Sequence, residues 1–337
     1  MSHPNSYIAY RFEELGGQLK RAEIAWKDPE EGQIVAKVLA CGVCASDEVV
    51  KYQGIPTGFP RIPGHEIVGE IVAVGPKEEI YKVGQRVGSG WHGGHCHKCS
   101  HCSSGDFIMC DKEDINGVFR DGGYAEYVTL RSEAITLVPE DMDPAEVAPL
   151  LCAGITTFNS LRNMDVRPPD VVAVQGIGGL GHLALQFSRA MGYRTVALSS
   201  SDAKRDLALK LGAQEYIDGS KVDQAKALQD LGGAKVIICT APSPKVIQAL
   251  LPALAVGGQL LILAISHESS EINLSSLINR RTSIRGWPSG TAVDSGETIT
   301  FSKIHGVKCL VEKFPLDKAQ EAYDHRAKAR FRAVITP

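Results

Sequence analysis

Val171-Val172-Ala173-Val174-Gln175-Gly176-Ile177-Gly178-Gly179-Leu180-Gly181 is the stretch that decides the fold. A short apolar, β-branched run enters a turn with the spacing Gly-x-Gly-x-x-Gly, and a helical pattern, Leu180–Met191, follows. The spacing alone is weak evidence. A strand before it and a helix after it supply the context in which such a turn binds a dinucleotide. Gly176 permits the tight turn, Gly178 lets a pyrophosphate approach the backbone, and Gly181 allows close helix–strand packing. The helix N-terminus then offers N–H groups to the phosphates. Gly176, Gly178, Gly179, Leu180 and Gly181 are candidate cofactor-binding residues, against the competing reading of a turn that serves packing only.

Outward from this turn the chain alternates. Thr195–Ser199, Glu215–Asp218, Lys235–Thr240, Gln259–Ala264 and Ser283–Trp287 read as further strands, and Ala203–Leu211 and Gln224–Leu231 as helices. Strands that alternate with helices imply right-handed crossovers and a parallel sheet. Six of them predict an α/β, doubly wound, Rossmann-like domain. Upstream of residue 150 the character differs. Ile34–Ala40, Ile67–Val74 and Tyr124–Thr129 are short strand candidates broken by Gly and Pro, which suits a mostly antiparallel β domain. Ala153–Met164 reads as a helix. In the tail, Lys308–Phe314 and Phe331–Thr336 read as strands around a helix at Asp317–Lys328, and composition does not decide which domain they join.

The chain has 337 residues, 44% hydrophobic and 22% charged, which is globular composition at a length of about two domains. Lysine and arginine number 36 and aspartate and glutamate 39, a net charge of −3 that gives no footing for a nucleic-acid partner. No apolar run reaches the roughly 20 residues that cross a bilayer, and the polar start lacks a signal-peptide core. The expectation is a soluble, cytoplasmic protein without a membrane partner.

Cys96, Cys99, Cys102 and Cys110 follow the spacing Cys-x2-Cys-x2-Cys-x7-Cys. In a reducing compartment clustered thiols point to metal before disulfides. Four thiolates fill a tetrahedral zinc sphere and leave no place for water, so the site reads as structural. An iron–sulfur cluster is the rival, and His92, His95, His97 and His101 read as loop residues. Cys44, His65 and Cys152 stand apart in sequence. Two thiolates and an imidazole would leave one position open for a substrate oxygen polarised by the metal. Asp47 suits the other ring N–H of His65. Glu66 has two readings: an acid that approaches the metal and assists ligand exchange, or a partner in a buried charge network. Cys41, Cys239 and Cys309 lack companions at ligand spacing and read as packing residues.

About 20 residues beyond the glycine turn an NAD site usually places an acid. Here Ser199-Ser200-Ser201-Asp202-Ala203-Lys204-Arg205 places Ser199. Ser199, Ser200, Lys204 and Arg205 would attract a 2′-phosphate. NADP(H) is expected over NAD(H), with Asp202 an N-cap turned away from the phosphate and with Lys204 and Arg205 as a solvated helix face the competing reading.

These residues resemble the zinc-dependent alcohol dehydrogenases of the medium-chain dehydrogenase/reductase superfamily over essentially the whole chain. The resemblance rests on Gly64-His65-Glu66 with Gly69 and Gly75, the four-cysteine lobe, Cys152 and Gly176–Gly181. Gly90-Trp91-His92-Gly93-Gly94-His95-Cys96 is similar to microbial members, and Ser199-Ser200-Ser201 to NADPH-using cinnamyl alcohol dehydrogenases. The resemblance implies a GroES-like catalytic domain at residues 1–151 and 299–337 around a Rossmann-like domain at 152–298. It implies a catalytic zinc on Cys44, His65 and Cys152, two zinc ions per subunit, a substrate cleft between the domains, and a homodimer or homotetramer. It implies that Ser46 hydrogen-bonds the substrate oxygen and passes its proton, that Thr156 packs near the nicotinamide, that Arg332 approaches the pyrophosphate and that Trp91 lines the substrate pocket. Ala45 and Val49 depart from relatives that carry basic residues there, so one cofactor contact and the end of the proton relay are expected to be missing.

The expected activity is hydride transfer between NADP(H) and an alcohol and its aldehyde or ketone. A zinc-free quinone or enoyl reductase of the same fold, and a zinc-stapled NADPH-binding or redox-sensing protein without turnover, are the rival readings.

Overall fold

The computed structural model describes residues 3–240, 243–265 and 268–337. The chain forms two compact units, one of residues up to Ile155 together with Ser289–Pro337, the other of Thr156–Pro288.

The second unit is built on six parallel strands. In sheet order they are Glu215–Asp218, Arg194–Ser199, Val171–Gln175, Ala234–Cys239, Leu254–Ile262 and Ser283–Gly286. Every pairing is parallel, and by chain position the order is 3-2-1-4-5-6, the doubly wound dinucleotide-binding arrangement. Val171–Gln175 is buried along its whole length because helices cover both faces of a parallel sheet, hence its unbroken apolar run. The strand ends in Gly176, whose φ of +85° is the left-handed region that glycine enters without strain. Helix Gly181–Ala190 starts so close to this turn that a Cβ on Gly181 would lie 1.8 Å from the Gly176 carbonyl oxygen.

The first unit centres on a seven-stranded sheet. Gln33–Gly42 pairs antiparallel with Glu66–Val74, with Tyr127–Arg131 and with Arg332–Thr336. The tail thus joins the β-rich unit: Ile335 faces Cys41, and Val311–Pro315 adds a parallel edge strand. A core of Ile34, Val38, Ile67, Ile71, Tyr124 and Tyr323, among others, fills the interior.

Several expectations shift. The third β candidate starts at Tyr127 and not Tyr124, because Gly123 and Tyr124 donate their N–H groups to the Gly64 and Pro63 carbonyls, outside any ladder. The return to the first unit comes at Ser289, not 299, and the chain leaves it after Ile155, not 151. A boundary at 299 would cut helix Ala292–His305, whose Ile299 packs with Ala40, Val68 and Leu151. Helices Pro244–Leu250 and Leu274–Arg280 form where the sequence pattern alone marks no element. Among the described residues no helix is long and apolar enough to cross a membrane.

Gly181→Ala is expected to destabilise the nucleotide unit by about 1–3 kcal/mol, because the added methyl overpacks against a backbone that cannot yield. Denaturant unfolding followed by circular dichroism checks this, and an unchanged midpoint would contradict the close approach.

Candidate active site and metal centres

Cys44 follows the central strand Gln33–Gly42 and caps the short turn Ala45–Asp47. The cap is reciprocal: Cys44 N–H donates to Asp47 Oδ2 at 2.9 Å, and Ser46 N–H to Cys44 Sγ at 3.5 Å. His65 directly precedes strand Glu66–Val74, which pairs with the same central strand. Cys152 lies between the turn Ala148–Leu151 and helix Ala153–Arg162. Three segments remote in sequence therefore converge. One donor atom each from Cys44, His65, Glu66 and Cys152 lies within 4.8 Å of all the others.

The Cys44 and Cys152 sulfurs are 3.9 Å apart. That is far beyond a disulfide of about 2.05 Å, and close to the roughly 3.8 Å edge of a tetrahedron with bonds of about 2.3 Å. His65 Nδ1 lies 3.1 Å from Asp47 Oδ1. A carboxylate accepts, so Nδ1 carries the hydrogen and Nε2 is left with its lone pair. Nε2 is buried and has no hydrogen-bond partner. A buried acceptor without a partner is costly, and here it sits beside two sulfurs. The donor set fits a metal ion.

The electrostatics agree. Hydrogen bonding from Cys152 pulls the Cys44 thiol well below its ordinary value against burial, helped by Arg332 and His65. Burial opposes charge on His65, yet Asp47 and Cys44 together lift it well above the ordinary imidazole, so the Nε2 lone pair among these donors draws a positive charge, whether a proton or a metal ion in the proton's place. Burial raises Glu66 to about 7 while Arg332, with Nη2 at 3.3 Å from Glu66 Oε1, opposes that rise. Neither Glu66 oxygen makes a well-aligned hydrogen bond. Both readings of Glu66 therefore have a footing: it joins a buried ion pair and lies among the ligand atoms. Arg332 is held firmly cationic by Glu66 and the nearby sulfurs, although burial works against it. Trp91 stands edge-on to the His65 ring at 4.9 Å. Ser46 is half-buried on the Cys44 turn.

Cys96, Cys99, Cys102 and Cys110 form a second cluster, again with all sulfurs within 4.8 Å. The neighbouring distances are 3.5 Å for Cys99–Cys102 and 3.9 Å for Cys96–Cys102 and Cys99–Cys110. These distances match the roughly 3.8 Å edges of a tetrahedron around a single ion and are too short for sulfurs spaced around several irons. The N–H groups of Lys98 and Cys99 lower Cys96 to about 6 and Lys112 N–H donates to Cys110 Sγ, whereas burial and the adjacent thiols raise Cys102 to about 12. No histidine joins this cluster among the described residues. His92 lies on the short strand His92–Gly94 and His95 in the loop that follows it, and both are buried. They stack at 5.2 Å, and His95 stacks on Phe107 at 4.2 Å, so the lobe has an aromatic base that its polar sequence did not announce.

In the second unit, a Cβ on Gly178 would meet nothing within 4 Å, which leaves the space a pyrophosphate needs. Thr156 opens that unit on helix Ala153–Arg162 and is half-buried. Ser199 ends its strand, with Asp218 opposite on the neighbouring one. Asp218 Oδ1 accepts from the backbone and hydroxyl of Ser220. Lys204 Nζ donates to the Ile177 carbonyl at 2.7 Å, over the glycine turn. Arg205 behaves otherwise: it donates to Asp202 at 2.6 Å, and Lys221 also reaches Asp202. Asp202 is not the N-cap expected. Ser201 takes that position, and Asp202, one residue on, is neutralised by these two cations.

Sequence reasoning missed Tyr124. Its hydroxyl donates to Asp47 Oδ2 at 2.8 Å across 77 residues of chain, and burial keeps it protonated by raising it well above an ordinary phenol. No local pattern announces such a contact.

Comparison with known proteins agrees with this geometry. The family description "Alcohol dehydrogenase GroES-like domain" matches residues 30–140, and "Zinc-binding dehydrogenase" matches residues 179–303. The chain is 48% identical to the alcohol dehydrogenase patD of Penicillium expansum, over 99% of this chain and 98% of the other. It is 36% identical to an alcohol dehydrogenase of Geobacillus stearothermophilus, over 91% of each. The solved structure of a cinnamyl alcohol dehydrogenase from Sorghum bicolor superposes with a TM-score of 0.87 at 27% identity, covering 98% of this chain and 97% of that one. The chain belongs to the zinc-type alcohol dehydrogenases of the medium-chain dehydrogenase/reductase superfamily, and it is an oxidoreductase of the alcohol dehydrogenase/reductase kind.

Proposed function

We propose that this protein is a zinc-dependent, NADP(H)-preferring alcohol dehydrogenase that interconverts a small alcohol and its aldehyde or ketone. The observation that carries the zinc reading is the buried, unpartnered Nε2 of His65 beside the sulfurs of Cys44 and Cys152. Those three residues would hold one ion, with Glu66 at its side, and Cys96, Cys99, Cys102 and Cys110 a second, structural one. When bound, the first ion supplies Lewis-acid polarisation of a substrate oxygen, and the nicotinamide supplies or takes the hydride.

The chain's own residues do the rest. Asp47 fixes the His65 tautomer. The N–H of Ser46 stabilises the Cys44 thiolate, while the Ser46 hydroxyl is the proton donor to the substrate oxygen in the reductive direction. Val49 cannot extend that relay, since it has no proton to pass on; solvent completes the route. Trp91 closes one side of the His65 ring and gives the pocket an apolar wall. Arg332, cationic and turned toward Glu66, would balance charge beneath the metal.

NADP(H) is favoured because no carboxylate ends the strand at Ser199, Asp218 is turned into its own loop, and Lys204 lies over the glycine turn. Ser200 and Arg205 are the further selectors, Arg205 once it exchanges Asp202 for phosphate. Thr156 would pack near the nicotinamide, and Gly176, Gly178, Gly179, Leu180 and Gly181 would line the pyrophosphate. A zinc-free quinone or enoyl reductase does not need the converged ligand cluster, and a non-catalytic zinc-stapled protein does not need its open fourth position. A homodimer or homotetramer is supported by the edge strand Ser283–Gly286 and by the exposed Leu274 and Ile278; a cytoplasmic location completes the reading.

Three outcomes are expected. Elemental analysis finds about two zinc ions per chain, and Cys152→Ala loses one of them together with at least about 100-fold in kcat; retention of both would contradict the ligand assignment. Lys204→Ala raises KM for NADPH about 10-fold, as loss of a charge-assisted contact implies, and leaves KM for NADH within about twofold; a wild type that uses NADH equally well would sink the cofactor preference. Light scattering after size exclusion gives a dimer or tetramer, and a monomer at micromolar concentration would reject that assembly.

A further inference from the structure

We propose that Tyr124 is a positioning residue for the His65 metal centre: its hydroxyl holds Asp47 in the orientation that lets Asp47 direct His65. This rests on the reading of Cys44, His65 and Cys152 as a metal site.

All three members of the chain are interior, with Tyr124, His65 and Asp47 at 0%, 1% and 2% exposure. Asp47 divides its oxygens. Oδ2 accepts from Cys44 N–H at 2.9 Å and from the Tyr124 hydroxyl at 2.8 Å, and Oδ1 is left for His65 Nδ1 at 3.1 Å. With one donor removed, Oδ2 keeps only the backbone of its own turn. The carboxylate could then rotate, and the imidazole would lose its fixed direction. Outer-shell groups of this kind set ligand orientation and contribute about 10- to 100-fold in metal affinity or activity.

Tyr124 is itself clamped, so it can act as an anchor. Its N–H donates to the Pro63 carbonyl at 3.1 Å, and its carbonyl accepts from Tyr10 N–H at 2.8 Å. Its ring lies where a Cβ on Gly64 would come within 2.5 Å, and Gly64 has φ of +102°, so the residue before the histidine ligand must be bare for the ring to fit. Tyr124 thereby joins the segment that delivers His65 to the turn that delivers Cys44.

The test is Tyr124→Phe in the full-length protein, a change that keeps the ring and deletes one oxygen. Zinc content is measured after dialysis against graded chelator, with the four-cysteine lobe as internal reference, and the visible spectrum of the cobalt-substituted protein is recorded. The expected result is loss of one metal at about 10-fold lower chelator, the lobe metal unchanged, a shifted cobalt band, and no further loss when Tyr124→Phe is added to Asp47→Asn. Release identical to wild type would overturn the role of Tyr124. So would an equal added loss in the Asp47→Asn background, or a parallel weakening of both metals, since either marks general destabilisation. A wild type that holds only the lobe metal would overturn the metal-site reading itself, an outcome distinct from two metals with an unresponsive variant.

Discussion

Four donor atoms brought within 4.8 Å of one another in a protein interior set the central constraint. Two sulfurs, a ring nitrogen and a carboxylate oxygen do not attract one another, and burial strips away the water that would solvate them. The surroundings already answer this crowding with positive charge and donors. Arg332 lies under Glu66, backbone N–H groups point at Cys44 Sγ and Asp47, and His65 gives its own N–H to Asp47. A cation among the donors resolves what remains. The sheet register serves this convergence, because Cys44 and His65 lie beside strands paired in the same ladder.

The two candidate metal-binding clusters show different ways of meeting one chemical requirement. The lobe takes four ligands from a single short loop, so backbone N–H groups can be shared among neighbouring sulfurs and little else is needed. The deeper cluster draws on three distant segments. It relies on the core to hold them in place and on buried partners, Asp47, Tyr124 and Arg332, to orient and balance them. A closed sphere made by a loop suits a staple. An open sphere made by a rigid core suits chemistry that must hold a substrate in one pose.

How much of this is legible in the sequence follows from the range of each interaction. The glycine turn and the lobe are written in consecutive residues, so spacing alone discloses them. The parallel sheet shows through its fully apolar strands, and five of the six start within one residue of their expected place. Cys44, His65 and Cys152 are ordinary residues until the fold unites them, and only the family resemblance joined them beforehand. Tyr124 and the His92–His95–Phe107 stack stayed hidden, because a hydroxyl pointing at a carboxylate 77 residues away leaves no periodic trace. The misplaced strand at Tyr124 has the same origin: that segment looks extended and apolar, but tertiary bonds to Pro63 and Gly64 claim its backbone.

The strand Arg332–Thr336 lies beside the central strand of the first unit; it and its edge neighbour Val311–Pro315 follow the nucleotide unit in the chain, while the other strands of that sheet precede residue 156. During synthesis, then, the first unit keeps a gap in its sheet until residues 311–336 emerge, while the nucleotide unit, contiguous in sequence, is free to form first. Loss of the strand Arg332–Thr336 would therefore damage the first unit most, although both candidate metal clusters lie in its first 152 residues, far from that strand along the chain.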